Sequence, residues 1–228
     1  LLKVINIIIA EAALETVPPE ISGHPAVVKS AKSKGKHWSE VLLDISLHYA
    51  AMKKLPNMSK RGRPDIVHTA LLEALSSPLN IEGYLKLYIH TVNDYVIFID
   101  PKTRIPRNYV RFVGLMEQLF KYGQVPPKEL EPLMRIVNLN FKNLLKNINV
   151  SKVITLSENG ELRDCETICR IALNEGLPIV VGGFPHGDFR SDIYESSKYV
   201  FSIYRRSLDT WVVISRILSG CERVLGII

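Results

Sequence analysis

The sequence predicts an α/β fold in which helices flank a parallel β-sheet, and three observations carry that expectation. The chain opens on Leu1–Ile9, an apolar run rich in β-branched residues, as a central strand covered on both faces requires. Beyond residue 150, short apolar runs alternate with amphipathic segments of helix length, the pattern of right-handed βαβ crossings. Glycines gather where one of those runs ends, at Gly182, Gly183 and Gly187. In parallel sheets, ligands sit beyond the carboxyl ends of the strands.

Taken in order, the run to Ala10 is broken by Lys3 and Asn6, is far too short to span a bilayer, and is followed by no cleavage pattern. Ala10–Val17 predicts a short helix stopped by Pro18-Pro19. Ser22–Ser39, with Lys29, Lys32, Lys34 and Lys36, predicts a mobile basic loop. Ile45–Leu55 predicts a helix ending before Pro56, and the basic connection Ser59–Pro64 leads into another over Asp65–Ser76. Leu85–Ile89 and Tyr95–Ile99 predict two strands joined by the turn residues Asn93-Asp94.

Pro106 predicts the start of a helix through Tyr122, because proline suits a first helical turn. Tyr109, Phe112, Val113, Met116, Leu119 and Phe120 form its apolar stripe. Gln124–Pro132 is expected to lead into further helix. Strands follow at Val153–Leu156, Pro178–Val181 and Tyr199–Ile203, with helices at Arg163–Glu175 and Leu208–Arg223. The loops at the strand ends are Ser157–Gly160, Gly182–Phe189 and Tyr204–Ser207.

The 228 residues, 46% of them hydrophobic, suffice for one large domain with insertions or two small ones and exclude wholesale disorder. A net charge of +6 makes polyanions plausible partners. Cys165, Cys169 and Cys221 make an odd count with no secreted framework; Cys165 and Cys169 share a helix face as small hydrophobes of a reducing compartment. The six scattered histidines offer no metal-ligand spacing.

Four stretches carry chemistry. In Gly182–Phe189 the glycines allow close backbone approach to a ligand, or simply a tight turn; no G-x-G-x-x-G and no following Lys-Ser/Thr marks a phosphate loop. Between residues 96 and 116 there are four basic residues and one acid, Asp100. Arg107 and Arg111 fall four apart opposite the apolar stripe, with Arg104 just before them, which suits phosphate oxygens; a solvated helix face is the plain alternative. Asp65 sits in a first helical turn, where it complements the helix dipole, and Arg63 either pairs with it or reaches for phosphate. His68 reads as a partly buried histidine with no catalytic role. Ser207–Leu218 is more apolar than one buried stripe needs, so that helix is covered on two sides or forms a dimer interface.

In this order along nearly the whole chain, RGRPDIVH at 61–68, PLNIEGYLKLYIHT at 78–91, TRIPRNYVRFVGLMEQL at 103–119, VITLSENG at 153–160, GGFPHGDF at 182–189 and SLDTWVVISRIL at 207–218 resemble the ribosome-biogenesis pseudouridine-N1-methyltransferase family of the SPOUT superfamily. The resemblance implies a SPOUT-like parallel sheet flanked by helices, with a C-terminal deep trefoil knot over residues 150–228 and a basic RNA-binding insertion over residues 56–122 of a single domain. It implies a homodimer and an S-adenosylmethionine-dependent methylation of a pseudouridine N1 in small-subunit ribosomal RNA, with ribosomal proteins or assembly factors as further partners. The cofactor contacts it implies are Leu156 and Ser157; Gly182, Gly183 and Gly187; and Ile203, Tyr204, Arg205 and Leu208. The RNA contacts are Arg63, Arg104, Arg107 and Arg111, with Asp65 nearby to orient the N1–H or accept its proton. On this reading a Gly183→Val side chain enters ligand space.

Many eukaryotic members carry an added N-terminal segment, whereas this chain opens almost at its first predicted strand. That points to an archaeal-type cytoplasmic protein, nucleolar if the source is eukaryotic, and the missing initiator methionine to a trimmed or processed chain. Two rivals share the same features: a non-catalytic ribosomal-RNA assembly factor, and a SPOUT enzyme acting on transfer RNA.

Overall fold

The computed structural model describes residues 4–228; the first three residues of the predicted opening strand lie outside the described residues. The chain runs through β1 (Ile5–Ala12), α1 (Pro25–Lys34), α2 (Ile45–Met52), α3 (Pro64–Ser76) and the short α4 (Pro78–Ile81). A hairpin of β2 (Leu85–Thr91) and β3 (Tyr95–Ile99) follows, then α5 (Tyr109–Tyr122), β4 (Gln124–Val125), β5 (Met134–Asn138) and α6 (Phe141–Asn147). The last third is β6 (Val153–Leu162), α7 (Cys165–Glu175), β7 (Ile179–Gly182), α8 (Ser191–Ser196), β8 (Ser197–Ser202) and α9 (Thr210–Leu225).

Among the described residues the strands form one eight-stranded sheet, in the order β4-β5-β3-β2-β1-β7-β6-β8. The stretch β2-β1-β7-β6-β8 is parallel, with Ile7 of β1 opposite both Leu87 and Ile179. The sheet is mixed, however, because β3, β5 and β4 add antiparallel at one edge. Asp94 takes the left-handed conformation (φ 58°) that turns β2 into β3. Where further helix was expected after Pro132, Met134–Asn138 pairs instead with β3, Ile136 opposite Ile97, before α6 begins.

β1 is central, and Ile7, Ile8 and Ile9 are completely buried. Ile7 and Ile9 pack toward α3, α5, α7 and α9 on one face; Ile8 and Ala10 pack toward Phe141 of α6 and Ile193 of α8 on the other. Alternating side chains of one strand thus feed two cores, as a doubly covered sheet demands. Residues 56–122, expected as an insertion, carry α3, β2, β3 and α5 within that same sheet and core. A smaller third core, including Val27 of α1 and Met52 of α2, supports the N-terminal helical layer.

Two expectations for the first forty residues are overturned. Ala10–Val17 is not a helix. β1 continues to Ala12, and the extended chain beyond it makes Val17 N–H to Val41 O (2.8 Å) and Leu43 N–H to Glu15 O (2.9 Å). Long-range pairing outweighs the local helix preference of Glu-Ala-Ala-Leu-Glu. Nor is Ser22–Ser39 a mobile loop, for α1 has Pro25 in its first turn, His24 as N-cap and Gly35 (φ 60°) as left-handed C-cap. Lys34 and Lys36, both half-buried, grip buried Glu117, each at 2.6 Å. Burial alone pushes the Glu117 carboxyl up, but those two lysines and the Leu42 N–H together hold it below its ordinary value. Among the described residues no helix is long and apolar enough to cross a membrane.

Candidate active site

A cavity of about 430 Å³ opens at the carboxyl ends of β7 and β8, beside the middle of β6. Three segments and the start of α3 line it: Leu156–Glu158 within β6, where a loop was expected and the pairing with β8 shifts register, the loop after β7, and the chain from the end of β8 into α9. Leu156, Val181, Phe201 and Val213 give it an apolar lining, while Arg63, Asp188, Arg206 and Asp209 supply charge. The Thr210 hydroxyl donates to the Gly182 carbonyl at 2.7 Å, tying the start of α9 to the end of β7. Asp209 caps α9 by position, yet its carboxylate accepts no capping hydrogen bond.

The glycine loop is shaped by aromatic packing. Phe184 meets Phe189 edge-on at 5.3 Å, and Phe189 meets Tyr194 edge-on at 5.9 Å. A Cβ on Gly182 would lie 3.1 Å from the Phe184 ring, and Gly187 takes a φ of +100° that side chains rarely adopt. The Tyr194 hydroxyl donates to the Asp188 carboxylate and lies 3.2 Å from Ser157 Oγ. Burial and that carboxylate push the phenol up to about 12.

Of the cofactor residues implied by sequence, Leu156, Ser157, Gly182, Gly187, Ile203, Tyr204 and Leu208 line this cavity, and two do not. Gly183 lies behind its wall. Its N–H donates to Ala10 O and its carbonyl accepts from Ala13 N–H, both at 2.8 Å, and a Cβ would run into Ile9 and Ala12 of β1. The expected intrusion of a Gly183→Val side chain into ligand space is therefore corrected: the methyls would enter the sheet. Arg205 is exposed outside the lining, and its neighbour Arg206 takes the place. Phe184, Phe189, Asp188 and Asp209 were missed; the first three fall inside the glycine stretch 182–189 and Asp209 inside Ser207–Leu218, which was the available signal.

The start of α3 reaches the cavity through Arg63 and Ile66. Arg63 forks onto Asp65, Nε to Oδ1 at 2.8 Å and the terminal nitrogen to Oδ2 at 2.7 Å, so the pairing alternative holds. That bond raises the guanidinium above its usual range. His68 is buried, its Nε2 is 2.7 Å from Pro106 O, and its ring stacks on Phe112 at 4.5 Å. It thereby fixes the 104–108 segment against α3. The Tyr109 hydroxyl donates to buried Asp44 at 2.6 Å, and burial with that carboxylate pushes the phenol far up.

The helix over this segment begins later than expected. Asn108, not Pro106, caps α5 by accepting the Arg111 N–H at 3.1 Å. Arg107 therefore precedes the helix, and only Arg111 lies on its first turn, so the two do not share a helical face. They still gather with Arg104 around the start of α5, and all three side chains are exposed. Arginines clustered at a helix N-terminus can hold phosphate oxygens.

Comparison with known proteins shows the family and the fold. The family model described as EMG1/NEP1 methyltransferase matches residues 7–222. The ribosomal RNA small subunit methyltransferase Nep1 of Staphylothermus marinus is 53% identical over 98% of this chain and 97% of its own. The Saccharolobus solfataricus protein of the same name is 48% identical over 97% and 98%. The crystal structure of Archaeoglobus fulgidus Nep1 bound to S-adenosylhomocysteine superposes with a TM-score of 0.84 at 35% identity, covering 98% of both chains. The chain belongs to the EMG1/NEP1 methyltransferase family, a SPOUT-class family.

Proposed function

We propose that this protein methylates small-subunit ribosomal RNA at N1 of a pseudouridine, using S-adenosylmethionine. The observation that carries the reading is one juxtaposition: Arg63, at the start of α3, lines the glycine-loop cavity, and His68 of the same helix holds the Pro106 carbonyl of the segment that bears Arg104 and Arg107. A methyl donor and an RNA backbone can thus meet at a single rim.

The cavity's residues fit such a donor. Its size falls in the range of about 300–1,000 Å³ usual for small-molecule sites. Leu156, Val181 and Phe201 suit a purine and the methylenes beside the sulfur, and the Asp188 and Asp209 carboxylates suit the positive charge of a sulfonium. Leu156, Ser157, Gly182, Gly187, Ile203, Tyr204 and Leu208 would hold it. Bound there, S-adenosylmethionine supplies an electrophilic methyl group on a sulfonium.

The chain's own residues then bind and orient the acceptor. Arg104, Arg107 and Arg111 hold the RNA backbone while the target base leaves its stack, as base-modifying enzymes require. Asp65 fixes Arg63 at the rim, and its remaining lone pairs orient the pseudouridine N1–H. With both oxygens already accepting from Arg63, Asp65 is an orienting residue and not a free base, and the N1 proton passes to water. Most of the acceleration comes from positioning. The trefoil threading of residues 150–228, a homodimer and a cytoplasmic site go with this reading. Trp211, Val212 and Val213 stay half-buried on α9, which a second copy would cover.

Matched RNA hairpins with uridine or pseudouridine at one loop position, offered with methyl-labelled S-adenosylmethionine, test the reaction. Label on the pseudouridine hairpin alone is expected. No label on either, with RNA still bound, favours the assembly-factor rival; label on transfer RNA instead favours the other.

A further inference from the structure

One lysine joins the glycine loop to the connection that carries Arg63. Lys60 closes a 3-10 turn at Met58–Lys60. Next to it, Arg61 forks onto buried Glu15 at 2.8 and 2.6 Å. Gly62 follows with a left-handed backbone (φ +66°) packed on Met52. Lys60 therefore projects from a rigid base.

Its ammonium donates to Glu11 Oε2 at 2.6 Å and to the Asp188 carbonyl, and sits 4.3 Å from the centre of the Phe184 ring. Its stem lies against Gly187, where a Cβ would approach Lys60 Cε to 3.1 Å. The second Glu11 oxygen accepts the Arg190 N–H at 2.6 Å. One ion pair thus grips the loop at residues 184, 187 and 188 through Lys60, and just past its end through Glu11. Glu11 is 1% exposed and holds a φ of 49°. A non-glycine residue keeps such a backbone only where its surroundings impose it, and these contacts do so.

We propose that Lys60 is a positioning residue for the methyl donor, holding loop 182–189 in the shape that binds it. This rests on the reading of that loop as cofactor wall. Without the lysine, Glu11 keeps the Arg190 N–H, but its nearest remaining cation is the Arg190 guanidinium, 3.7 Å away, and the loop loses its central anchor. The positive charge and its reach are what matter, so arginine replaces it better than methionine.

Lys60→Met and Lys60→Arg test this, with S-adenosylhomocysteine as the calorimetric probe and amide hydrogen exchange on the ligand-free protein. Lys60→Met is expected to weaken the probe roughly tenfold, the scale of a charge-assisted hydrogen bond lost. It also speeds exchange across residues 183–188 while β6 and α3 keep their protection, and it raises KM for the donor more than it lowers kcat. Lys60→Arg recovers most of the affinity. Affinity within about twofold of the parent, or unchanged exchange across 183–188, overturns the proposal. A parent protein that binds no S-adenosylhomocysteine overturns the cofactor reading itself, and this inference with it. If Lys60→Met does not fold, Lys60→Gln keeps a hydrogen-bond donor but removes the charge; faster exchange at 183–188 supports the proposal and unchanged exchange rejects it.

Discussion

Gly182 and Gly183 are neighbours with opposite duties, and alanine at each position separates them. A Cβ on Gly183 would lie 2.7 Å from Ile9 Cγ2, 2.8 Å from Ala12 Cα and 2.9 Å from Ala12 Cβ. Ile9 and Ala12 are completely buried, so neither can retreat into water. The Gly183 backbone cannot move away without stretching its 2.8 Å hydrogen bonds to Ala10 and Ala13. Overpacking of this kind costs about 1–3 kcal/mol. At about 2–4 °C per kcal/mol for a domain of this length, Tm falls by about 2–12 °C. No cavity-lining atom is touched, so S-adenosylhomocysteine affinity below the transition stays near the parent's. At Gly182 the added methyl instead presses on Phe184 at 3.1 Å and Phe189 at 3.4 Å, which shape the cavity, and affinity falls. Thermal unfolding by circular dichroism and calorimetric titration read the two effects apart. A Gly183→Ala protein with the parent's Tm and no affinity would refute this geometry.

Arg107→Ala is expected to weaken RNA binding and flatten the salt dependence of log Kd by about one phosphate contact; filter binding from low to moderate salt checks it, and an unchanged slope removes Arg107 from the RNA face. Asp65→Asn loosens Arg63, so the substitution should weaken hairpin binding as well as turnover; normal binding with turnover alone abolished would make Asp65 a base instead. Asp94 titrates near 2 rather than 3.8, chiefly through its hydrogen bond from His90 and then that from Arg190. A depressed carboxylate stabilises the fold above its unfolded value and loses that contribution as pH falls through the folded one. The stability gap between parent and Asp94→Asn in urea should therefore be full above 3.8 and close toward pH 2; a gap unchanged across that window contradicts the pairing.

Beyond residue 150 the strand cores were legible, because short β-branched runs such as Val153–Leu156 and Ile179–Val181 admit little besides buried strand, but α8 and the run of β6 on to Leu162 were not. The N-terminal third was not. Ala10–Val17 is locally helix-prone, and only partners distant in sequence, Gly183 and Val41 among them, hold it extended. The lysines over 29–36 read as solvated loop because Glu117, which pairs with Lys34 and Lys36, lies more than eighty residues away from both. In the site, loop and motif positions were readable, but orientation was not. Nothing in two adjacent glycines says which one backs onto the sheet. Pro106 was expected to start α5, but the Asn108 cap sets the start instead, and His68 takes up the Pro106 carbonyl. Lys60 read only as one charge in a basic connection, since its partners come from β1 and the glycine loop.

A crystal structure of this protein soaked with S-adenosylhomocysteine tests the central claim most directly. The nucleoside should lie between residues 156–158, 182–189 and 203–209, with its sulfur facing the Arg63 rim. Product lodged elsewhere, or a crevice closed by the protein's own side chains in every copy, would contradict the account.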